Sequence, residues 1–103
     1  METKRKYWSD ILIALDAIDH HLAGITSFEQ YASSITVKDA VERRLITIGE
    51  AVNKLMHVIE HGERIRAFRN RLVHSYDATD DAMVWAIIRN HLAPLRELAE
   101  ARA

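Results

Sequence analysis

"TVKDAVERRLITIGEAVNKL", residues 36–55, is the stretch that decides the fold. Val37, Val41, Leu45, Ile48, Val52 and Leu55 recur every three or four positions, and Ile59 extends the row until Gly62. This is the spacing of a single apolar stripe on an α-helix. Thr36, with Asp39 three positions on, marks the expected start of that helix. Gly49 and Ala51 are small enough to let a neighbouring backbone approach closely, although an interior glycine also weakens a helix.

The same periodicity extends outward in both directions. Tyr7, Ile11, Leu15, Ile18 and Leu22 form the stripe of a first helix, widened by Trp8 and Leu12 and stopped at Gly24. In "TSFEQYASS", Thr26 and Glu29 have capping-box spacing, which predicts a short helix. Downstream, Ile65, Phe68, Leu72 and Val73 predict a helix over 63–74. "SYDATDD" reads as a loop that ends in an N-cap at Thr79, with Asp80 and Asp81 in the first turn that follows. Met83, Val84, Ile87, Ile88, Leu92, Leu95 and Leu98 run along the last helix, which Pro94 should kink around Asn90 and His91. The expected architecture is an all-α, up-and-down bundle of four main helices, the last one kinked, plus one short helix.

Composition agrees with that architecture. A chain of 103 residues suits one domain, residues 1–103, and 49% hydrophobic with 28% charged residues is a globular balance. One proline and three glycines favour long helices over a turn-rich β fold. With no cysteine, disulfides and thiolate metal sites are excluded. No apolar run has the length of a membrane span, and "METKRKYWSD" lacks the apolar stretch of a signal peptide. A cytoplasmic protein without membrane contact is expected.

Two histidine pairs invite a metal reading and are set aside. "HVIEH", residues 57–61, matches the H-x-x-E-H spacing of one metalloprotease class, and His57 and His61 would share a helix face. Gly62 ends the helix immediately afterwards, and so short a pattern means little without its context. His20 and His21 are adjacent, about 100° apart around a helix, which is wrong for joint chelation. Neither metal nor cofactor is expected.

A second stretch carries the chemistry. "RNRLVHSY", residues 69–76, gathers two arginines, an asparagine, a histidine and a tyrosine. Cleaving RNA without a metal needs a base for the 2′-hydroxyl proton, an acid for the departing 5′-oxygen, and cations for the phosphoryl oxygens. Histidine suits proton transfer near neutral pH, and arginine offers a permanently charged fork to phosphate. Arg69 and His74 are separated by about 140° around an ideal helix, so one protomer looks like half a site. Two chains meeting about a two-fold axis would bring two Arg–His pairs into one cleft. The net charge of −1 gives no global basic field, but Arg64, Arg66, Arg69 and Arg71 fall within "ERIRAFRNR". An arginine run by itself is more often a solvated helix face. A dimer would double the patch, with Arg66 and Arg71 as RNA contacts.

Chance alone would give roughly 0.6 matches to R-x4-H in a chain of this composition, and roughly 0.02 once a tyrosine two positions later is required. "RNRLVHSY" resembles the R-x4-H-x-Y signature of HEPN-domain proteins, in particular the HepT-like toxins. The resemblance spans nearly the whole chain. "YWSDILIALDAI" is similar to that family's first helix, "DAVERRLITIGEAVNKL" to its central helix, and "MVWAIIRNHLAPLREL" to its last. One difference stands out: only "HVIEHGERIRAF" bridges Met56 to Arg69, where relatives have a longer segment.

The resemblance implies a HEPN-like dimeric bundle with composite sites at the interface, and a metal-independent endoribonuclease acting as the toxin of a toxin–antitoxin pair. Arg69 would stabilise the phosphoryl transition state, His74 would act as general base or acid, and Asn70 would orient them. Tyr76 matches the position at which the antitoxin partner, a minimal nucleotidyltransferase, transfers AMP to silence the toxin. Attack by the 2′-hydroxyl would leave a 2′,3′-cyclic phosphate and a 5′-hydroxyl. A non-catalytic helical module that binds a nucleotidyltransferase and presents nucleotide or substrate to it is the alternative. Glu50, in "IGEA", is a candidate brace for a motif arginine and equally a plain surface carboxylate.

Overall fold

A computed structural model describes the backbone of residues 2–56 and 81–103. The described residues form five helices: α1 (Glu2–His21), α2 (Phe28–Ser33), α3 (Ile35–Met56), α4 (Asp81–Asn90) and α5 (Leu92–Arg102). The helix expected over 63–74 and the cap expected at Thr79 lie outside the described residues.

The stripe in the central helix is the core. Val41, Leu45, Ile48, Val52 and Leu55 are fully buried, and they pack with Trp8, Ile11, Leu15 and Ile18 of α1. Val37, Tyr7, Leu12 and Leu22, at the margins of the two stripes, are partly buried against that core. α1 packs most extensively on α3 and next on α5. Helix directions follow from contacts at their ends. Lys54, late in α3, places its ammonium 5.8 Å from the ring centre of Tyr7, early in α1. Arg102, at the end of α5, lies 5.7 Å from the ring of Trp8. Hence α3 and α5 both run antiparallel to α1, as an up-and-down bundle requires.

The helix ends differ in detail from the sequence expectation. The cap of α2 is Ser27, not Thr26: the Gln30 N–H donates to Ser27 Oγ at 3.2 Å. Gln30, rather than Glu29, reaches back over the helix start, its Oε1 accepting from the backbone N–H of Thr26, one residue before the cap, at 2.6 Å. Likewise α3 is capped by Ser34, not Thr36, with the Val37 N–H donating to Ser34 Oγ at 3.2 Å. Ser34 also donates its N–H to the Tyr31 carbonyl. One residue in extended backbone (φ −107°, ψ 100°) therefore closes α2 and opens α3. Gly24, at φ +86°, takes the left-handed conformation that ends α1.

The expected kink is a break at His91 that separates α4 from α5. Pro94 has no N–H for the Asn90 carbonyl, and its ring crowds that carbonyl, so the helix cannot continue regularly. Val84, Ile87, Leu92, Leu95 and Ala99 carry the apolar face across the break. Met83 does not belong to that face, for it is 40% exposed in the first turn of α4. Across the bundle Arg96 of α5 donates to Asp16 at 2.8 Å and Asp19 at 2.7 Å, both on α1. The Asp16 hydrogen bond raises the Arg96 pKa, partial burial opposes it, and the charge of Asp19 adds to it. Both aspartates are largely exposed, so this clamp orients α5 more than it stabilises it.

Tyr31 is the largest core side chain that periodicity missed, beside Ala14 and Ala99. It is fully buried, its ring 5.4 Å from that of Trp85 on α4, and its hydroxyl has no hydrogen-bond partner among the described residues. Burial first, then the charges of Glu42 and Asp81, push the phenol well above its ordinary pKa, so it stays neutral.

Two stability outcomes follow. In urea denaturation, Ile48→Ala should cost about 2–5 kcal/mol as a core truncation. Ile46→Ala, two positions away and 49% exposed, should cost no more than about 0.5 kcal/mol. Equal losses would contradict the assignment of the buried stripe. Tyr31→Phe should leave stability unchanged or raise it by about 1 kcal/mol, since it removes an unsatisfied buried hydroxyl. A loss of similar size would instead show that this hydroxyl is bonded in solution.

Candidate functional site

The charged and proton-transferring residues singled out in the sequence, Arg66, Arg69, Asn70, Arg71, His74 and Tyr76, all lie outside the described residues, as do His57 and His61. The described helices form the frame on either side of that segment. The chain leaves the frame at Met56, the end of α3, and re-enters at Asp81, the start of α4.

Those two points are at opposite ends of the bundle. Asp81 Oδ2 is 3.1 Å from Nζ of Lys38, in the first turns of α3. Lys38 and Met56 are about 27 Å apart along α3 at a rise of roughly 1.5 Å per residue.

The re-entry point is a junction of three helices. α2 packs against both α3 and α4, through Tyr31 on Trp85 among other contacts. Arg89 lies over the other partner of that pair, its guanidinium 5.8 Å from the Trp85 ring centre. Asp81 sits in the first turn of α4, where a carboxylate also favours the helix dipole. Nothing in the sequence flagged Lys38 or Asp81 as partners, because 43 positions separate them and each fits a solvated helix surface. Glu50, the candidate brace, is exposed on α3.

Elsewhere the frame offers little chemistry. A cleft of about 430 Å³ lies between α1 and the α4–α5 elbow, floored by Leu15, Leu22, Ile88 and Leu92 and edged by Asp19 and Arg96. Among the described residues its lining has no histidine, cysteine or tyrosine to move a proton near neutral pH. No group of three or more His, Cys, Asp or Glu side chains that could hold a metal ion occurs among the described residues. His20, exposed, and His21, half-buried, are neighbours with ring centres 5.8 Å apart, edge to face. No described helix is long and apolar enough to cross a membrane.

Comparison with known proteins bears on the whole chain. It is 28% identical over 103 aligned residues to a protein of Caldanaerobacter subterraneus subsp. tengcongensis named "Putative RNase TTE0752", covering 94% of this chain and 91% of that one. No solved structure matches the chain with statistical significance. The family described as ribonuclease HepT-like matches residues 11–102, which takes in all of α2 to α5, most of α1 and the whole of "RNRLVHSY". Together with the all-α, HEPN-like bundle, that match establishes that the chain belongs to the ribonuclease HepT-like family.

Proposed function

We propose that this chain is a metal-independent endoribonuclease, dimeric, and the toxin of a toxin–antitoxin pair. The observation that carries the reading is an intact R-x4-H-x-Y at residues 69–76 inside a chain matched over 11–102 to a ribonuclease family. The relative's name, an RNase, points the same way.

In this mechanism His74 takes the proton from a 2′-hydroxyl, whose oxygen attacks the adjacent phosphorus. The histidine of the second protomer protonates the departing 5′-oxygen, so one symmetric pair supplies both base and acid. Arg69 neutralises charge on the non-bridging oxygens as the transition state forms, and Asn70 fixes the orientation of the pair. The products are a 2′,3′-cyclic phosphate and a 5′-hydroxyl. Arg66 and Arg71 hold the RNA backbone on either side. An antitoxin nucleotidyltransferase silences the site by placing AMP on Tyr76, where the adduct's phosphate competes with RNA for Arg69.

End-labelled RNA incubated with the purified chain in excess EDTA tests this directly. The parent should cleave, and folded Arg69→Ala and His74→Ala variants should each lose at least about a hundredfold in rate. An unmodified parent that cleaves none of several RNA classes would sink the ribonuclease reading and leave residues 69–76 as a docking surface for a nucleotidyltransferase.

A further inference from the structure

We propose that one end of the bundle, where the first turns of α1 meet the last turns of α3 and α5, is a docking surface for the phosphate backbone of RNA. The choice of RNA among polyanions rests on the ribonuclease reading above, whereas the surface itself is built from the described helices alone.

The helix directions bring its cations together. Lys54 of α3 lies 5.8 Å from the ring centre of Tyr7, and Arg102 of α5 lies 5.7 Å from that of Trp8. Lys4 precedes Tyr7 by three residues and Arg5 precedes Trp8 by three, the spacing that sets side chains next to each other on a helix. Each ring therefore has a cation of α1 one turn away and a cation of a neighbouring helix over it. Lys6 adds a fifth charge, and all five side chains are exposed.

Neutralisation at this end is slight. Lys6 pairs with Asp10 at 3.3 Å, but Lys4, Arg5, Lys54 and Arg102 pair with no carboxylate among the described residues. Glu50 is exposed one turn before Lys54, and Glu100 is turned about 200° from Arg102 around α5. Asp16 and Asp19 engage Arg96 instead. They lie roughly 16–21 Å beyond Arg5 along α1, about twice the Debye length at physiological salt or more. Like charges gathered this way repel and cost the bundle stability, and an extended polyanion relieves that repulsion.

An anionic membrane would offer phosphate too. A membrane-seated surface also needs bulky apolar side chains to enter the acyl boundary. The exposed large hydrophobics among the described residues are elsewhere: Ile35 and Met83 at the opposite end, Ile13 and Ile46 midway along their helices. Charge without an apolar anchor fits a nucleic-acid backbone, which is held by Lys and Arg with no regard to sequence.

Fluorescence anisotropy of the full chain with a 2′-O-methyl RNA, which lacks the attacking hydroxyl, tests the surface without cleavage. Two double variants, Lys4→Gln with Arg5→Gln and Lys54→Gln with Arg102→Gln, should each weaken binding at least about tenfold near 0.1 M salt. Each should also flatten the slope of log affinity against log salt by about 1.4, for two phosphate contacts at roughly 0.7 each on a single strand. Arg43→Glu, which changes net charge equally at an exposed site midway along α3, should stay within about twofold. On cleavable RNA the double variants should raise KM and leave kcat within about twofold. Unchanged affinity and slope in both folded double variants, or an equal loss in Arg43→Glu, would overturn the proposal, as would a parent that binds no RNA. Loss of binding to anionic phospholipid vesicles with RNA binding intact would give the surface to a membrane and equally overturn it. A parent that holds the 2′-O-methyl RNA through these residues yet cleaves no ordinary RNA would sink the ribonuclease reading alone and leave the docking surface standing.

Discussion

Everything described in this bundle depends on burying one face of α3. Val41, Leu45, Ile48, Val52 and Leu55 have no solvent exposure, and a helix with such a stripe cannot persist alone in water. α1 covers it, and α5 lies back along α1 so that Leu92, Leu95 and Ala99 are buried as well. Once α1 and α3 are paired antiparallel and α5 lies antiparallel to α1, both ends of the motif segment are fixed. One is at the far end of α3 and the other is beside Lys38.

The parts of this arrangement that a sequence can express were legible in it. Stripes with a period near 3.6 gave α1, α3 and the last helix, because burial of one face forces that spacing on any amphipathic helix. Pro94 gave the break at His91, because a missing N–H acts locally. What stayed hidden was set by choices among near-equivalent neighbours or by distance along the chain. Thr26 or Ser27, and Ser34 or Thr36, are all competent caps, and the extended backbone at Ser27 and Ser34 decides between them. Tyr31 sits in a six-residue helix too short to show a period, yet it is completely buried. Lys38 and Asp81 meet only because α2 brings α4 beside the start of α3. The candidate site itself was readable only as a motif, since its residues are of types that also occur on any helix surface.

The buried hydroxyl of Tyr31 and the ion pair next to it are two responses to the same junction. Where α2, α3 and α4 converge, the Tyr31 ring packs on Trp85, at the cost of burying a phenol with no hydrogen-bond partner among the described residues. The carboxylates of Glu42 and Asp81 are near enough to raise the phenol's pKa, and Lys38 offsets part of that negative charge by pairing with Asp81.

Charge bookkeeping over the frame bears on how a chain with net charge −1 can act on a polyanion. Lys6, Lys38 and Arg96 are paired with aspartates, and Lys54, Arg89 and Arg102 lie over aromatic rings. The ion pairs cancel part of the first three charges, while Lys54, Arg89 and Arg102 stay exposed on their helices. Besides the run Lys4, Arg5 and Lys6, the sequence places four arginines between positions 64 and 71, the largest arginine cluster in the chain. A phosphate-attracting potential built there is local rather than global, and it decays within a Debye length of about 8 Å at physiological salt. Doubling the stretch across a two-fold axis would raise that potential where two copies meet and nowhere else. Under the proposed mechanism, the same symmetry that completes the acid–base pair thus also overcomes the unfavourable net charge, so dimerisation supplies both the chemistry and the attraction.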